Sequence, residues 1–277
     1  MFKDLSSLLE HDCQLVIKDT VTSTNDEAFS QALCSPQSAF SAAHPLVVVS
    51  TEQAAGRGRL GRFWESPPGG VYLSVLFEPD FAQEGGWGEG ENSSAKGRGD
   101  AIFSLSPLVA LAVYDALLTF AAEELYIKWP NDIISARGKL AGVLIELKQK
   151  IYVVIGVGVN VNHPDAGTSL GATYLVDETA REPSCEEVAA AVLKSLFSSY
   201  DTWRTQGCSF APFVAAYREH MALVGKQVCV RAADGTELAS GVVEGIDERA
   251  RLLLAGKDGP TPVTAGEVTL ANKLPPS

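Results

Sequence analysis

Arg57, Arg59 and Arg62 fall within six positions, in the run Gly56-Arg-Gly-Arg-Leu-Gly-Arg62. Glycine lets backbone N–H groups approach a ligand closely, and the guanidinium fork pairs with phosphate or carboxylate. Such a run suits a small anionic molecule, although an isolated run of this kind is most simply a solvated basic turn. A second constellation, Lys128-Trp-Pro-Asn-Asp132, sets a cation at a strand end before a turn stiffened by Pro130. An electrostatic clamp on a transferring phosphoryl group needs such a held cation. Thr22-Ser-Thr-Asn25 offers hydroxyl and amide partners to a neutral polar group, and equally reads as an ordinary helix N-cap. Gly156-x-Gly158-x-Asn160 places two glycines in a strand, where a ligand or another backbone must come close. Gly56-x-Gly58-x-x-Gly61 also spells the dinucleotide fingerprint. The continuation Phe63-Trp-Glu-Ser-Pro-Pro-Gly-Gly70 forbids the helix that this fingerprint requires.

The rest of the chain must position these groups. Its 277 residues, 46% apolar, are ample for a packed core and fit one large domain with a small companion. With 34 acidic against 22 basic residues the formal charge is −12, which argues against a main role in binding nucleic acid or an anionic membrane. Any anionic ligand must therefore be held by a local cluster of cations. Five scattered cysteines without a C-x-x-C pair indicate a reducing compartment. The N-terminus resembles neither signal nor transit peptide, and the longest apolar stretch, Leu108 to Ala122, is interrupted by Asp115. A soluble, cytoplasmic protein is expected.

Pro45–Thr51 and Val71–Phe77 read as strands. Ser106-Pro107 reads as the start of a helix carrying Leu108, Leu111, Tyr114 and Leu118. Tyr126 to Lys128 is a short strand entering a turn, and Ala141–Leu147 with Ile151–Val159 forms a hairpin. Ser184 and Glu187 make a capping box for a helix that buries Val188, Val192, Leu196, Tyr200 and Trp203. Phe210, Phe213, Val214 and Tyr217 mark a third helix. Beyond Leu223 come short strands with a turn at Asp234-Gly235, the pattern of a small barrel. Domains at 1–222 and 223–277 follow. The Gly-rich, acidic segment Glu78–Asp100 is expected to be a mobile surface insertion without a function of its own.

The constellations, in this order, resemble the biotin–protein ligase family. The matches are Ser23-Thr-Asn25, the run from Gln53 through Gly56-Arg-Gly-Arg-x-Gly-Arg62 with Trp64 and Ser66, Tyr72-Leu-Ser74, Lys128-Trp-Pro-Asn-Asp132, Lys139-Leu-Ala-Gly142 and Gly156-Val-Gly-Val-Asn160. They span residues 20 to 165 closely and the remainder loosely. The resemblance implies an α+β fold: a catalytic domain like that of class II aminoacyl-tRNA synthetases, a mixed sheet flanked by helices, followed by an SH3-like barrel. It implies an ATP-dependent ligase. Biotin and ATP, with Mg²⁺, give biotinyl-5′-AMP and pyrophosphate, and the biotinyl group then passes to a lysine of the biotin carboxyl carrier domain of a carboxylase.

Residue by residue, the resemblance assigns biotin to Ser23, Thr24, Asn25, Gln53, Arg57, Gly58, Arg59, Lys128, Gly142, Gly156 and Gly158. It assigns ATP and the adenylate to Arg59, Arg62, Trp64, Lys128, Asn131 and Asn160. Arg57, Arg59 and Lys128 would supply the positive charge where carboxylate and α-phosphate, two anions, must meet. No protein metal ligand is assigned, and Asp132 either orients the Lys128 turn, assists Mg²⁺ or is structural. Only 21 residues precede Thr22, too few for the winged helix of repressor relatives, so a ligase that does not regulate DNA is expected. Two other readings remain at this point. One is a lipoate–protein ligase, whose Arg-Arg-x-Ser-Gly-Gly-Gly stretch is absent here; the other is a non-catalytic binding module.

Overall fold

The computed structural model describes residues 2–271 except 10, 37–38, 80–93, 122, 150, 166, 168–170 and 258, with only the backbone of 94–100. A short helix α1 (Leu5–Leu8) precedes β1 (Gln14–Val21), α2 (Thr24–Leu33) and β2 (Leu46–Gln53). β3 (Gly70–Phe77), α3 (Ser94–Leu118), β4 (Tyr126–Lys128), β5 (Asp132–Ile134), β6 (Lys139–Lys148) and β7 (Tyr152–Asn160) follow. These strands form one seven-stranded sheet in the order β1-β2-β3-β7-β6-β5-β4. β1 and β2 are parallel, joined through α2, and the other pairs are antiparallel.

Both faces of the sheet are covered, which is why its central strands read as continuous apolar runs. Along β2, Val47 and Val49 enter the main core while Leu46 and Val48 enter a smaller core under α2 with Phe40. The main core packs the sheet against α3 and α4 (Cys185–Thr205). The capping box at Ser184 and Glu187 opens α4, and Val188, Val192, Leu196, Tyr200 and Trp203 are all buried. The Trp203 indole N–H donates to Ser104 Oγ on α3 at 3.0 Å, satisfying a polar group inside the core.

The helix expected to open at Ser106-Pro107 begins twelve residues earlier, at Ser94, and runs through Pro107. Ala101 and Leu105 are buried in the same core as Leu108 and Leu111, so the apolar stripe extends upstream of the proline and carries the helix past it. Of the segment expected to be a mobile insertion, residues 80–93 lie outside the described residues, and 94–100 are helical. Ala101–Leu118 is apolar enough to cross a membrane by composition alone, yet 72% of it is buried inside the protein as its core helix.

After α5 (Val214–Glu219), strands β8 (Gln227–Arg231), β9 (Glu237–Ile246), β10 (Leu252–Leu254), β11 (Thr261–Val263) and β12 (Glu267–Leu270) form an antiparallel sheet. Its order is β11-β10-β9-β8-β12, the small C-terminal sheet that the short strands foreshadow. Its apolar residues Val228, Val230, Val243, Ile246 and Leu252 join the same core cluster as the large sheet.

Candidate active site

Strand register builds the floor of a cleft. Lys128 pairs with Asp132, Asp132 with Gly142, Gly142 with Gly158 and Gly158 with Tyr72, one row across five strands. Two residues along, on the same face by the two-residue period of strands, lies the row Leu144, Gly156, Ser74. The alternate residues Val143, Val157 and Leu73 point into the main core. The strands that hold the core thus present glycines on their other face.

Those glycines are bare because other side chains lie on them. A Cβ on Gly158 would sit 2.5 Å from Trp64 Nε1, and one on Gly142 would sit 3.1 Å from Trp64 Cζ3. The Trp64 indole lies on this shelf with Lys139 Nζ 5.0 Å from its ring centre, a cation–π contact. Its Nε1 is buried without a hydrogen-bond partner among the described residues. A Cβ on Gly156 would meet Asn25 Oδ1 at 2.5 Å. Asn25, Ser23 and Thr24, at the start of α2, are all buried.

A polar network lines the inner end. The Ser74 hydroxyl donates to Asn25 Oδ1 (2.6 Å) and lies 2.8 Å from the Thr24 hydroxyl. The Thr24 backbone N–H donates to Gln53 Oε1 at 2.8 Å, and Gln53 Nε2 donates to Ser66 Oγ at 2.8 Å. Ser66 and Ser74 belong to the quoted motifs without an assigned role, and the structure gives them one: they orient Gln53 and Asn25.

The arginine run is a tight hairpin, closed by Gly58 N–H to Arg62 O (2.7 Å) and Trp64 N–H to Gly56 O (2.9 Å). Leu60 and Gly61 turn it with φ of 58° and 73°, a left-handed pair in which leucine is unusual. The three arginines diverge. Arg59, mostly buried, donates to Asn131 Oδ1 (3.0 Å) and to the Gly266 carbonyl (3.4 Å), and burial pulls its pKa below the ordinary value. Arg62 pairs with Glu267 of β12. Arg57 forks onto Asp26 and reaches Glu146 at 2.9 Å. The resemblance groups Arg57 with Arg59 and Lys128 as cations for an incoming anion. Here two carboxylates engage its guanidinium, and it tethers the loop.

The Asp26 carboxyl is held below its ordinary pKa chiefly by the hydrogen bond from Arg57. Burial pushes Glu146 up, but hydrogen bonds from Asn25, Lys148 and Arg57 together outweigh it and leave its pKa lowered. Asn131, in the turn after the cis Trp129–Pro130 peptide, also donates to Val143 O at 2.9 Å, which locks the turn to β6. Asp132 pairs with Lys139 at 2.7 Å.

The cleft takes in about 910 Å³ of space between its lining side chains, the solvent at its open mouth included. Fourteen of the fifteen residues assigned from the sequence line it, Lys128 among them. Asn160 does not. Its amide donates to the carbonyls of Lys139 (3.3 Å) and Thr173 (3.2 Å), and it lines an adjoining cleft with Phe63, Trp64 and Glu65. Four residues carry no motif signal: Asp26 and Glu146, which hold Arg57, and Glu267 and Val268, which line the cleft. The last two come from β12, far along the chain, and nothing in their local sequence signals a site. The cleft therefore draws on both sides of the boundary expected at 222/223. None of the four histidines lines it; His220 meets the Tyr114 hydroxyl at 2.9 Å and His163 meets Asp177 at 2.8 Å. Among the described residues no group of three or more His, Cys, Asp or Glu is arranged to hold a metal ion.

Comparison with known proteins agrees with this geometry. The chain is 34% identical over 259 residues to a biotin–[acetyl-CoA-carboxylase] ligase of Paracoccus denitrificans, covering 89% of this chain and 96% of that one. It is 31% identical over 227 residues to the enzyme of the same name from Mycobacterium tuberculosis, covering 80% and 78%. The biotin protein ligase of Aquifex aeolicus in complex with biotin and ATP superposes with a TM-score of 0.71 at 25% identity, covering 94% of this chain and 99% of that one. Residues 20–162 match the model of the biotin/lipoate A/B protein ligase family. With that match over half of the chain, and 34% identity to a relative over 89% of it, the chain belongs to the biotin/lipoate A/B protein ligase family.

Proposed function

We propose that this protein is an ATP-dependent biotin–protein ligase. The observation that carries the reading is convergence: motif residues spread from Ser23 to Gly158 line a single cleft with a neutral polar end and a cationic end. Ser23, Thr24, Asn25 and Gln53 would hydrogen-bond the neutral ureido ring. Gly156 and Gly158 let Asn25 and the Trp64 indole lie close on the sheet, and the apolar body of biotin would pack between these side chains. Its carboxylate would then lie toward Arg59 and Lys128. The carboxylate oxygen attacks the α-phosphorus of ATP, the bond to the β-phosphate oxygen breaks, and pyrophosphate leaves. Two anions must meet, so the cations lower the barrier electrostatically. Trp64 and Asn131 would contact the adenine and Arg62 the phosphates, with Asn160 reaching the adenylate from the adjoining cleft behind the indole.

Mg²⁺ would enter with ATP. Such ions are held largely by phosphate oxygens and water with one or two carboxylates, so no all-protein cage is needed, and Asp132, in register with Lys128, is one carboxylate of the cleft that could take part. In the second step the amine of a lysine on a biotin carboxyl carrier domain attacks the acyl carbon and AMP leaves. The arginine hairpin, with Gly58 among its lining residues, shields the anhydride from water meanwhile. We place the protein in the cytoplasm, with residues 1–222 as the catalytic domain and 223–277 as an SH3-like domain, and without nucleic acid or membrane partners or repressor activity. The relatives' names favour biotin over lipoate. The test is pyrophosphate release from ATP and Mg²⁺ with biotin or with lipoate. Release with biotin alone is expected. Equal release with both acids, or with neither, refutes the reading.

A further inference from the structure

Glu146 belongs to none of the motifs, yet it stands where the two halves of the site are fastened together. It lies on β6 two residues beyond Leu144, hence on the cleft face of the sheet. One of its oxygens, Oε2, accepts from Asn25 Nδ2 at 2.7 Å and from Arg57 Nη2 at 2.9 Å. The other, Oε1, accepts from Lys148 Nζ at 3.1 Å. Arg57 continues to Asp26, and Lys148 Nζ lies 3.8 Å from Asp26 Oδ1. Asp26, Arg57, Glu146 and Lys148 thus close a ring of two anions and two cations drawn from α2, the arginine hairpin and β6.

The ring has no net charge, so it adds nothing to the attraction of an anionic substrate. What it supplies is position. Asn25 is pressed against Gly156 on one side of Glu146, and the hairpin is tied down through Arg57 on the other. Charge-assisted hydrogen bonds of this kind are the strong and directional ones. Other anchors of the hairpin, Arg59 to Asn131 and Arg62 to Glu267, go to the β4–β5 turn and to β12.

We propose that Glu146 is a positioning residue of the ligase reaction, holding Asn25 at the inner end of the cleft and, through Arg57, the arginine hairpin closed over the reaction intermediate. One carboxylate then links occupancy of the inner end to retention of the acyl-adenylate. The inference rests on the ligase reading. An adenylate released or exposed is lost by hydrolysis: water adds at the acyl carbon, the bond from that carbon to the AMP oxygen breaks, and biotin and AMP result. Without a carrier protein, the first turnover gives a burst of pyrophosphate, and the later steady rate measures this leak.

The test uses the full chain with biotin, ATP and Mg²⁺ and no carrier. Glu146→Gln keeps the size and removes the charge; Asp26→Asn loosens Arg57 without touching Asn25. The leak should rise about tenfold in both variants, the size of effect that loss of one charge-assisted hydrogen bond produces. The KM for biotin should rise about tenfold in Glu146→Gln alone, and the burst amplitude should stay at wild type in both. Circular dichroism identifies the folded variants, and if Glu146→Gln does not fold, the leak and KM of Asp26→Asn still decide. Any other pattern among folded variants overturns the assignment. A wild-type chain that shows no burst with biotin overturns the ligase reading and this inference with it, whereas a wild-type burst beside unchanged variants overturns this inference alone.

Discussion

Gly156→Ala adds one methyl group at a place where the backbone permits it and the surroundings do not. Gly156 sits in the middle of β7 paired on both sides, so the strand itself accepts alanine. The new Cβ would stand 2.5 Å from Asn25 Oδ1, 3.1 Å from its Cγ and 3.2 Å from its Nδ2. Asn25 must move, and its hydrogen bonds from Ser74 (2.6 Å) and to Glu146 (2.7 Å) stretch or break. Overpacking a close-packed site costs about 1–3 kcal/mol, and losing a hydrogen bond to a charged group about 1.5–3 kcal/mol. Because Asn25 can relax in part, a loss of about 2–4 kcal/mol in binding at the inner end is expected. That corresponds to a biotin affinity roughly 30- to 1000-fold weaker. Isothermal titration with biotin measures it directly, and titration with ATP supplies the control. Gly158→Ala should show the opposite bias, since its Cβ would meet Trp64 Nε1 at 2.5 Å rather than Asn25. If Gly156→Ala binds biotin as tightly as wild type while remaining folded, the inner end of this cleft is not the biotin end.

Arg59→Ala and Lys128→Ala should each slow pyrophosphate release in the presence of biotin by about 10²–10³-fold, the scale of losing one preorganised electrostatic group, with circular dichroism unchanged. Stability should fall in acid for a stated reason. Asp26 and Glu146 have depressed pKa values in the folded state, so their contribution is present above the ordinary carboxylate range and is lost as pH falls below about 4. Asp26→Asn should therefore flatten the acid limb of a plot of Tm against pH, and a limb as steep as that of wild type would contradict the assignment. Trp203→Phe removes a fully buried indole together with its bond to Ser104 and should destabilise by about 1–3 kcal/mol in urea unfolding, leaving KM for biotin and ATP unchanged.

What was legible in the sequence followed from local rules. The α4 capping box and its buried stripe are written in spacings of three and four residues, and the strands of the large sheet in β-branched runs. β1 is not legible because Gln14–Val21 lies at the sheet edge, where half-buried Lys18 and exposed Asp19 and Thr20 dilute any apolar pattern. Pro107 misled because a proline one residue after serine is the usual mark of a helix start, whereas burial of Ala101 and Leu105 carries the helix through it.

By itself the sequence determined which chemistry was at hand: guanidinium and ammonium groups among glycines, neutral hydroxyl and amide groups near residue 24, and glycines spaced by two on a strand. Residue types and short spacings are local properties, and these survive translation into structure unchanged. Tertiary structure alone decided which groups face one another. Pairing register, invisible in one dimension, put Lys128, Asp132, Gly142 and Gly158 in one row. Packing set the Arg57 guanidinium against Asp26 and Glu146, because a half-buried guanidinium settles where carboxylates offset its desolvation. The docking of β12 brought Glu267 to Arg62 across 205 residues of chain, a contact that no local pattern encodes.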